Sequence, residues 1–300
     1  MDSNYLANCQ LCGHNCRVDR LSGQKGVCGA GVNPVVSSYC LHRGEEPMIS
    51  GSRGSGTIFF ANCCLHCVYC QNYAISQCTN GREIAINELA EIMLELQGQG
   101  AHNINLVSPT HYAPPISQAI ISAKEKGLKL PIVYNTGSYD SLITLKELDG
   151  LIDIYLPDLK YLNNEKANKY SGAVNYVEVA SEGIAEMFRQ VGNIIMDKDG
   201  LAKRGLLVRH LVLPNDLSDS EKALDFLASL SKDLWISIMA QYNPQFKAGG
   251  YSELSRKLTR EEYQAVVEHA EEIGLSNLFI QEGESSENYL PDFNKRHPFE

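Results

Sequence analysis

No cysteine follows Cys78 in a chain of 300 residues, yet ten cysteines lie at or before that point. The chain holds one tryptophan, only 26 basic residues against 36 acidic ones, and no apolar run near the roughly 20 residues that a membrane-spanning helix needs. Each shortage excludes something. A formal net charge of -10 argues against a general phosphate-backbone binder, which displays a basic surface, so nucleic acid is not expected as a partner. The start Met1-Asp2-Ser3-Asn4 has no basic region leading into an apolar one, so neither export nor membrane attachment is expected. A cytoplasmic location follows as the expectation, and in reducing cytosol clustered cysteines point to metal ligation or redox chemistry instead of disulfides. Hydrophobic residues at 44% and charged residues at 21% are ordinary for a globular protein.

From about Gly56 onward, short β-branched runs alternate with amphipathic segments, the pattern of parallel βαβ construction. Strands are expected at Thr57 to Ala61, Ile104 to Val107, Pro131 to Tyr134, Ile152 to Leu156, Leu206 to Leu213 and Trp235 to Ala240, with Asn277 to Ile280 at an edge. Leu89, Ile92, Met93 and Leu96, and again Ile184, Met187, Phe188 and Val191, fall at helical spacing. Ser218 with Glu221 and Thr259 with Glu262 have capping-box spacing, and Gly127 and Gly274 sit where helices end. Six units are two short of a closed eight-stranded barrel. The expected fold is therefore α/β, a partial (β/α)6 barrel (residues 56–300) with a small amino-terminal cysteine-rich module (residues 1–55). Gly51-Ser52-Arg53-Gly54-Ser55-Gly56 is the expected hinge between them.

The loop after the first of these strands reads Cys63-Cys64-Leu65-His66-Cys67-Val68-Tyr69-Cys70, which contains Cys-x3-Cys-x2-Cys. Three thiolates in one compact loop can hold three corners of a 4Fe-4S cluster and leave the fourth iron open. Cys64 does not fit that spacing and, with Cys40 and Cys78, receives no role. The motif resembles that of the radical S-adenosylmethionine superfamily. That resemblance implies a cluster on Cys63, Cys67 and Cys70, S-adenosylmethionine on the open iron, an electron donor such as flavodoxin or ferredoxin, and a 5'-deoxyadenosyl radical that abstracts hydrogen from substrate. It also implies that Tyr69 packs near the adenine.

In a barrel of this kind, chemistry gathers at the carboxyl ends of the strands. Ser108, Thr110 and His111 follow the second strand, Asn135 and Thr136 the third, Asp158 and Lys160 the fourth, and Gln241 and Tyr242 the sixth, while Arg209 interrupts the fifth. Such a ring of donors and acceptors suits the carboxylate, amine, ribose and adenine of S-adenosylmethionine. Asp158-Leu159-Lys160, Asn135-Thr136-Gly137 and the segment from Val208 to Pro214 resemble strings of glycyl-radical activating enzymes. Gly44-Glu45-Glu46-Pro47 and Cys70-Gln71-Asn72 extend the similarity, over nearly the whole chain, to pyruvate formate-lyase activating enzyme homologues. The resemblance implies that Asn135, Asp158, Lys160 and Arg209 surround S-adenosylmethionine. Where those enzymes carry a Gly-Gly-Glu segment for the methionyl amine, this chain has Val107-Ser108-Pro109-Thr110-His111, so Ser108 or Thr110 is expected to take that contact. Glu45 and Glu46, adjacent acids before a proline, are read as turn or solvent residues.

Cys9, Cys12, Cys16 and Cys28 form a second group, Cys-x2-Cys-x3-Cys-x11-Cys, among glycines that permit tight loops. Four thiolates suit either a structural zinc or a second iron-sulfur cluster, and the spacing leaves both open. For function, the expected substrate is a peptide or protein, with glycine hydrogen abstraction as in activases. Radical modification of a small metabolite is the alternative, and a metal-binding or electron-transfer protein on a degenerate barrel is the non-enzyme alternative.

Overall fold

The computed structural model describes residues 1, 3–281, 291–293, 295 and 298–299. Its strands are β1 (Val35–His42), β2 (Ser55–Phe60), β3 (Arg82–Glu83), β4 (Ile104–Val107), β5 (Ile132–Thr136), β6 (Ile154–Pro157), β7 (Ile195–Met196), β8 (Ala202–Leu211), β9 (Trp235–Met239) and β10 (Leu278–Ile280). Strands β2, β4, β5, β6, β8, β9 and β10 run side by side and parallel. β1 adds antiparallel to β2, β3 to β1, and the short β7 to β8. Among the described residues the edge strands β3 and β10 do not pair, so the sheet stays open, as a partial barrel requires.

Why these runs become strands is visible in their burial. Every residue of β2, β5 and β6 is buried, which is why they read as continuous apolar runs and not as alternating ones. The helix Ile86–Gly98 turns Leu89, Ile92, Met93 and Leu96 inward, and Tyr176–Val191 turns Ile184, Met187 and Val191 inward, as the spacing predicts. Full burial of each such side chain contributes about 1.5–3 kcal/mol. The two expected terminating glycines have positive φ, 104° at Gly127 and 83° at Gly274.

One local expectation is corrected. Thr259 and Glu262 do form a capping box, but Ser218 and Glu221 do not. Ser218 is buried, and its Oγ accepts from the Leu213 N–H at 3.1 Å, while Asp216 Oδ1 takes the Ser220 N–H at 3.0 Å. The expected hinge at 51–56 overlaps the start of β2. Ser55 and Gly56 begin β2, and a Cβ on Gly56 would stand 2.8 Å from the Asn103 carbonyl oxygen, so the segment is packed against the neighbouring strand.

β1 lies before residue 56 and β2 begins at residue 55, and the two are paired through Leu41↔Gly56 and His42↔Ser55. The described residues before β1 form a short 3-10 helix, Ser3–Leu6, followed by loops held by local bonds. Cys9 N–H donates to Val18 O at 3.0 Å, and Arg17 N–H to Cys9 O at 2.8 Å. This loop region is anchored to the segment after β5, where Gly13 N–H donates to Tyr139 O and Ser141 N–H to Leu11 O. Gly13 is required there, since a Cβ would reach within 2.4 Å of the Tyr139 ring.

Candidate active site

A cleft opens at the carboxyl ends of the parallel strands and encloses about 1030 Å³ of empty space with its mouth included. Cys67, Cys70 and Tyr69 line it from the loop after β2, Asn135 from the end of β5, Asp158 and Lys160 from just beyond β6, and Arg209 from β8. Gln241 and Tyr242 line it after β9. Cys63, four residues before Cys67 on the same loop, is half-buried and receives the Leu65 N–H on its sulfur at 3.4 Å.

Arg209 organises the polar wall. Its Nε donates to Asp158 Oδ1 at 2.7 Å, Nη1 to Glu45 Oε2 at 3.0 Å and Nη2 to Asn135 Oδ1 at 2.7 Å. Lys160 Nζ holds the other Asp158 oxygen at 2.8 Å. Among the described residues, three of the five guanidinium N–H groups are thus engaged. Burial alone raises the Asp158 carboxyl, but Arg209 and then Lys160 outweigh it and hold the group below its ordinary value. At Glu45 the balance reverses, because burial exceeds the pull of Arg209 and the carboxyl is raised.

Glu45 is the residue that sequence reasoning missed. It arrives from the segment after β1, which the antiparallel pairing with β2 carries over to the cleft. Its Oε1 also accepts from Asn105 Nδ2 at 3.0 Å. Ser108 and Thr110, in contrast, are not among the residues lining the cleft. Ser108 takes φ 56° at the end of β4, and the Thr110 hydroxyl is hydrogen-bonded to Thr136 Oγ1 at 3.2 Å in a buried group with Asp140.

Burial pushes the Cys63 thiol up to about 12 and the Cys70 thiol up to about 11, and it raises Cys67 as well. These sulfurs become thiolates only when a metal supplies the positive charge. A hydrogen-bond chain supports the middle one: Ser171 Oγ donates to Cys67 Sγ at 3.0 Å, the Tyr161 hydroxyl meets Ser171 Oγ at 2.8 Å, and the Tyr69 hydroxyl meets Tyr161 at 2.6 Å. Neither Tyr161 nor Ser171 carries any signal in the sequence that would link it to the motif. Three thiols on one loop, two of them facing the cleft, fit a cubane with one open iron.

The amino-terminal cysteines gather in a second place. Cys9 and Cys12 are buried, Cys16 and Cys28 half-buried, and each of the latter lies within electrostatic reach of the former pair. Gly26 makes room for Cys16, whose sulfur a Cβ there would approach to 2.9 Å. The Cys64 thiol, given no role from its spacing, is buried beside Cys12. Among the described residues no three His, Cys, Asp or Glu side chains close around one point as a single ion requires. A cubane makes no such demand, since each thiolate binds its own iron.

Comparison with known proteins places this geometry. The profile of the radical SAM superfamily matches residues 57–197, the span that holds Cys63, Cys67, Cys70, Asn135, Asp158 and Lys160. The uncharacterized protein MJ0674 of Methanocaldococcus jannaschii is 31% identical over 286 residues, which cover 92% of this chain and 78% of that protein. A radical SAM methyltransferase from Sphaerobacter thermophilus has a similar fold, with a TM-score of 0.50 and 15% identity over 76% of this chain and 66% of that one. Methylornithine synthase (PylB) does too, with a TM-score of 0.50 and 18% identity over 73% of this chain and 61% of that one. Streptococcus suis SuiB bound to S-adenosylmethionine has a TM-score of 0.50 and 13% identity over 74% of this chain, and the present chain spans 48% of its length. Fold, cysteine loop and relatives agree: the chain belongs to the radical SAM superfamily, whose members use a 4Fe-4S cluster and S-adenosylmethionine.

Proposed function

We propose that this protein abstracts a hydrogen atom from a peptide or protein, with a backbone glycine as the target, in the manner of pyruvate formate-lyase activating enzymes. When bound, the cluster supplies one electron to the sulfonium of S-adenosylmethionine, which breaks its carbon–sulfur bond into methionine and a 5'-deoxyadenosyl radical. Cys63, Cys67 and Cys70 hold that cluster. Tyr69 offers its buried ring to the adenine. Arg209 binds the carboxylate or a ribose hydroxyl, and Asn135, Asp158 and Lys160 fix the guanidinium and border the same ligand. With Ser108 and Thr110 outside the cleft lining, the Glu45 carboxylate is the acceptor suited to the methionyl amine. The four amino-terminal cysteines, Cys9, Cys12, Cys16 and Cys28, ligate a second iron-sulfur cluster. Flavodoxin or ferredoxin is the electron donor.

The observation that carries the substrate reading is the open sheet, whose cleft mouth is not sealed by a closing strand among the described residues. An extended peptide needs such a mouth, whereas a small metabolite is better served by an enclosed pocket. The test is transfer of deuterium. Reconstituted, reduced protein is incubated with S-adenosylmethionine and peptides carrying α-deuterated glycine. Deuterium in the 5'-deoxyadenosine supports the reading. Stimulation of 5'-deoxyadenosine formation by small metabolites alone, with no label from any peptide, overturns it.

A further inference from the structure

Arg20 is 1% exposed, which makes it among the largest fully buried side chains of the protein. Its guanidinium donates to the Gly31 carbonyl through Nε at 3.0 Å and through Nη2, to the His111 carbonyl through Nη1 at 2.7 Å, and approaches Cys9 Sγ at 3.9 Å. It also lies 5.9 Å from the centre of the Tyr112 ring. None of these acceptors carries a charge when the cysteines are protonated. A buried arginine without an anion is among the most unfavourable arrangements a protein can hold, so a negative partner is required.

The groups around it say what that partner is. Arg20 Nη1 stands 3.9 Å from Cys9 Sγ, and Cys12 and Cys28 lie in its neighbourhood. Four thiolates around an oxidised 4Fe-4S core of charge +2 leave a centre of charge -2. From this we infer that Arg20 is the counter-cation of an anionic tetrathiolate metal centre on Cys9, Cys12, Cys16 and Cys28, with Cys64 a buried neighbour of it and not a fifth ligand. The inference rests on metal binding by the amino-terminal cysteines and names the residue that makes an anionic centre tolerable in a buried place. It also ties that centre to the catalytic loop. Cys64 is buried beside Cys12, and its chain neighbour Cys63 is a ligand of the other cluster.

The experiment uses the full chain with Cys63, Cys67 and Cys70 all changed to alanine, so that any remaining metal belongs to the second centre. About four irons and four sulfides per chain support a tetrathiolate cluster, and one zinc without sulfide overturns it. No bound metal overturns it, and because the parent protein is assayed in parallel for 5'-deoxyadenosine, that failure is separate from a failure of the radical chemistry. Arg20→Met is then made in the same background. A counter-cation predicts opposite signs: the substitution lowers the melting temperature of the metal-loaded protein and raises that of the chelator-stripped protein, where the charge has no partner. Arg20→Lys keeps the metal. A purely structural arginine gives a loss in both states, and that result, or unchanged chelator resistance in Arg20→Met, overturns the role.

Discussion

Arg209 Nε and Asp158 Oδ1 stand 2.7 Å apart in the cleft wall, joining β8 to the residue just beyond β6. The same guanidinium reaches Glu45 and Asn135, so one side chain ties together three segments far apart in sequence. Removing it leaves two carboxylates with too little compensating charge. Arg209→Met is therefore expected to destabilise the fold by about 3–5 kcal/mol, the usual result of breaking a buried pair. Arg209→Lys recovers part of this, since an ammonium cannot satisfy three directions in one plane. Urea unfolding checks both, and equal stability of wild type and Arg209→Met contradicts the account.

The cluster ligand Cys67 receives a hydrogen bond from Ser171. Such a bond favours the reduced, more electron-rich cluster, so its loss makes the reduction potential more negative. Ser171→Ala is expected to lower the potential by roughly 20–65 mV, the equivalent of about 0.5–1.5 kcal/mol for one hydrogen bond. An EPR-monitored redox titration reads the shift directly. A potential equal to that of the wild type removes the serine from the cluster's surroundings.

His111 and His210 are buried, and desolvation pushes both imidazoles down to about 4. In the unfolded chain they take a proton near 6.5. Between those values the unfolded state binds more protons, so stability rises with pH. The contribution is complete above pH 6.5 and is lost as pH falls toward 4, by up to about 1.4 kcal/mol per pH unit for each histidine. His210→Gln is expected to flatten the slope by one histidine's share, measured by urea unfolding from pH 4 to 7. An unaltered slope contradicts it.

Gly56 lies in β2 with the Asn103 carbonyl where a Cβ belongs. Backbone cannot rotate away as a side chain can, so Gly56→Ala forces β2 and β4 apart. The expected loss is about 1–3 kcal/mol. A hinge would absorb the methyl group with little change, and thermal unfolding separates the two.

The parallel strands were legible because each is a short apolar run that a sheet covered on both faces demands, and β6 with Asp158 just beyond it shows the polar residue falling where the strand ends. Thr110 carries the same signal after β4, yet its hydroxyl turns to Thr136 and Asp140. Position at a strand end is local information; the direction a side chain takes depends on φ 56° at Ser108 and on partners far along the chain. Glu45 was illegible for a related reason. It lies outside the βα alternation, and only the antiparallel register of β1 on β2 delivers it to Arg209. Likewise Cys64 lacks ligand spacing, and its place beside Cys12 comes from the packing of the amino-terminal loops on the sheet.

The most direct test of the central claim is iron content together with 5'-deoxyadenosine formation, under anaerobic reduction with S-adenosylmethionine, for the wild type and for Cys67→Ala. The account predicts a cluster and 5'-deoxyadenosine in the wild type, and in the variant the loss of the product and of the cluster that Cys67 ligates. Iron-free wild-type protein prepared anaerobically, or a variant that still forms 5'-deoxyadenosine at the wild-type rate, would contradict it.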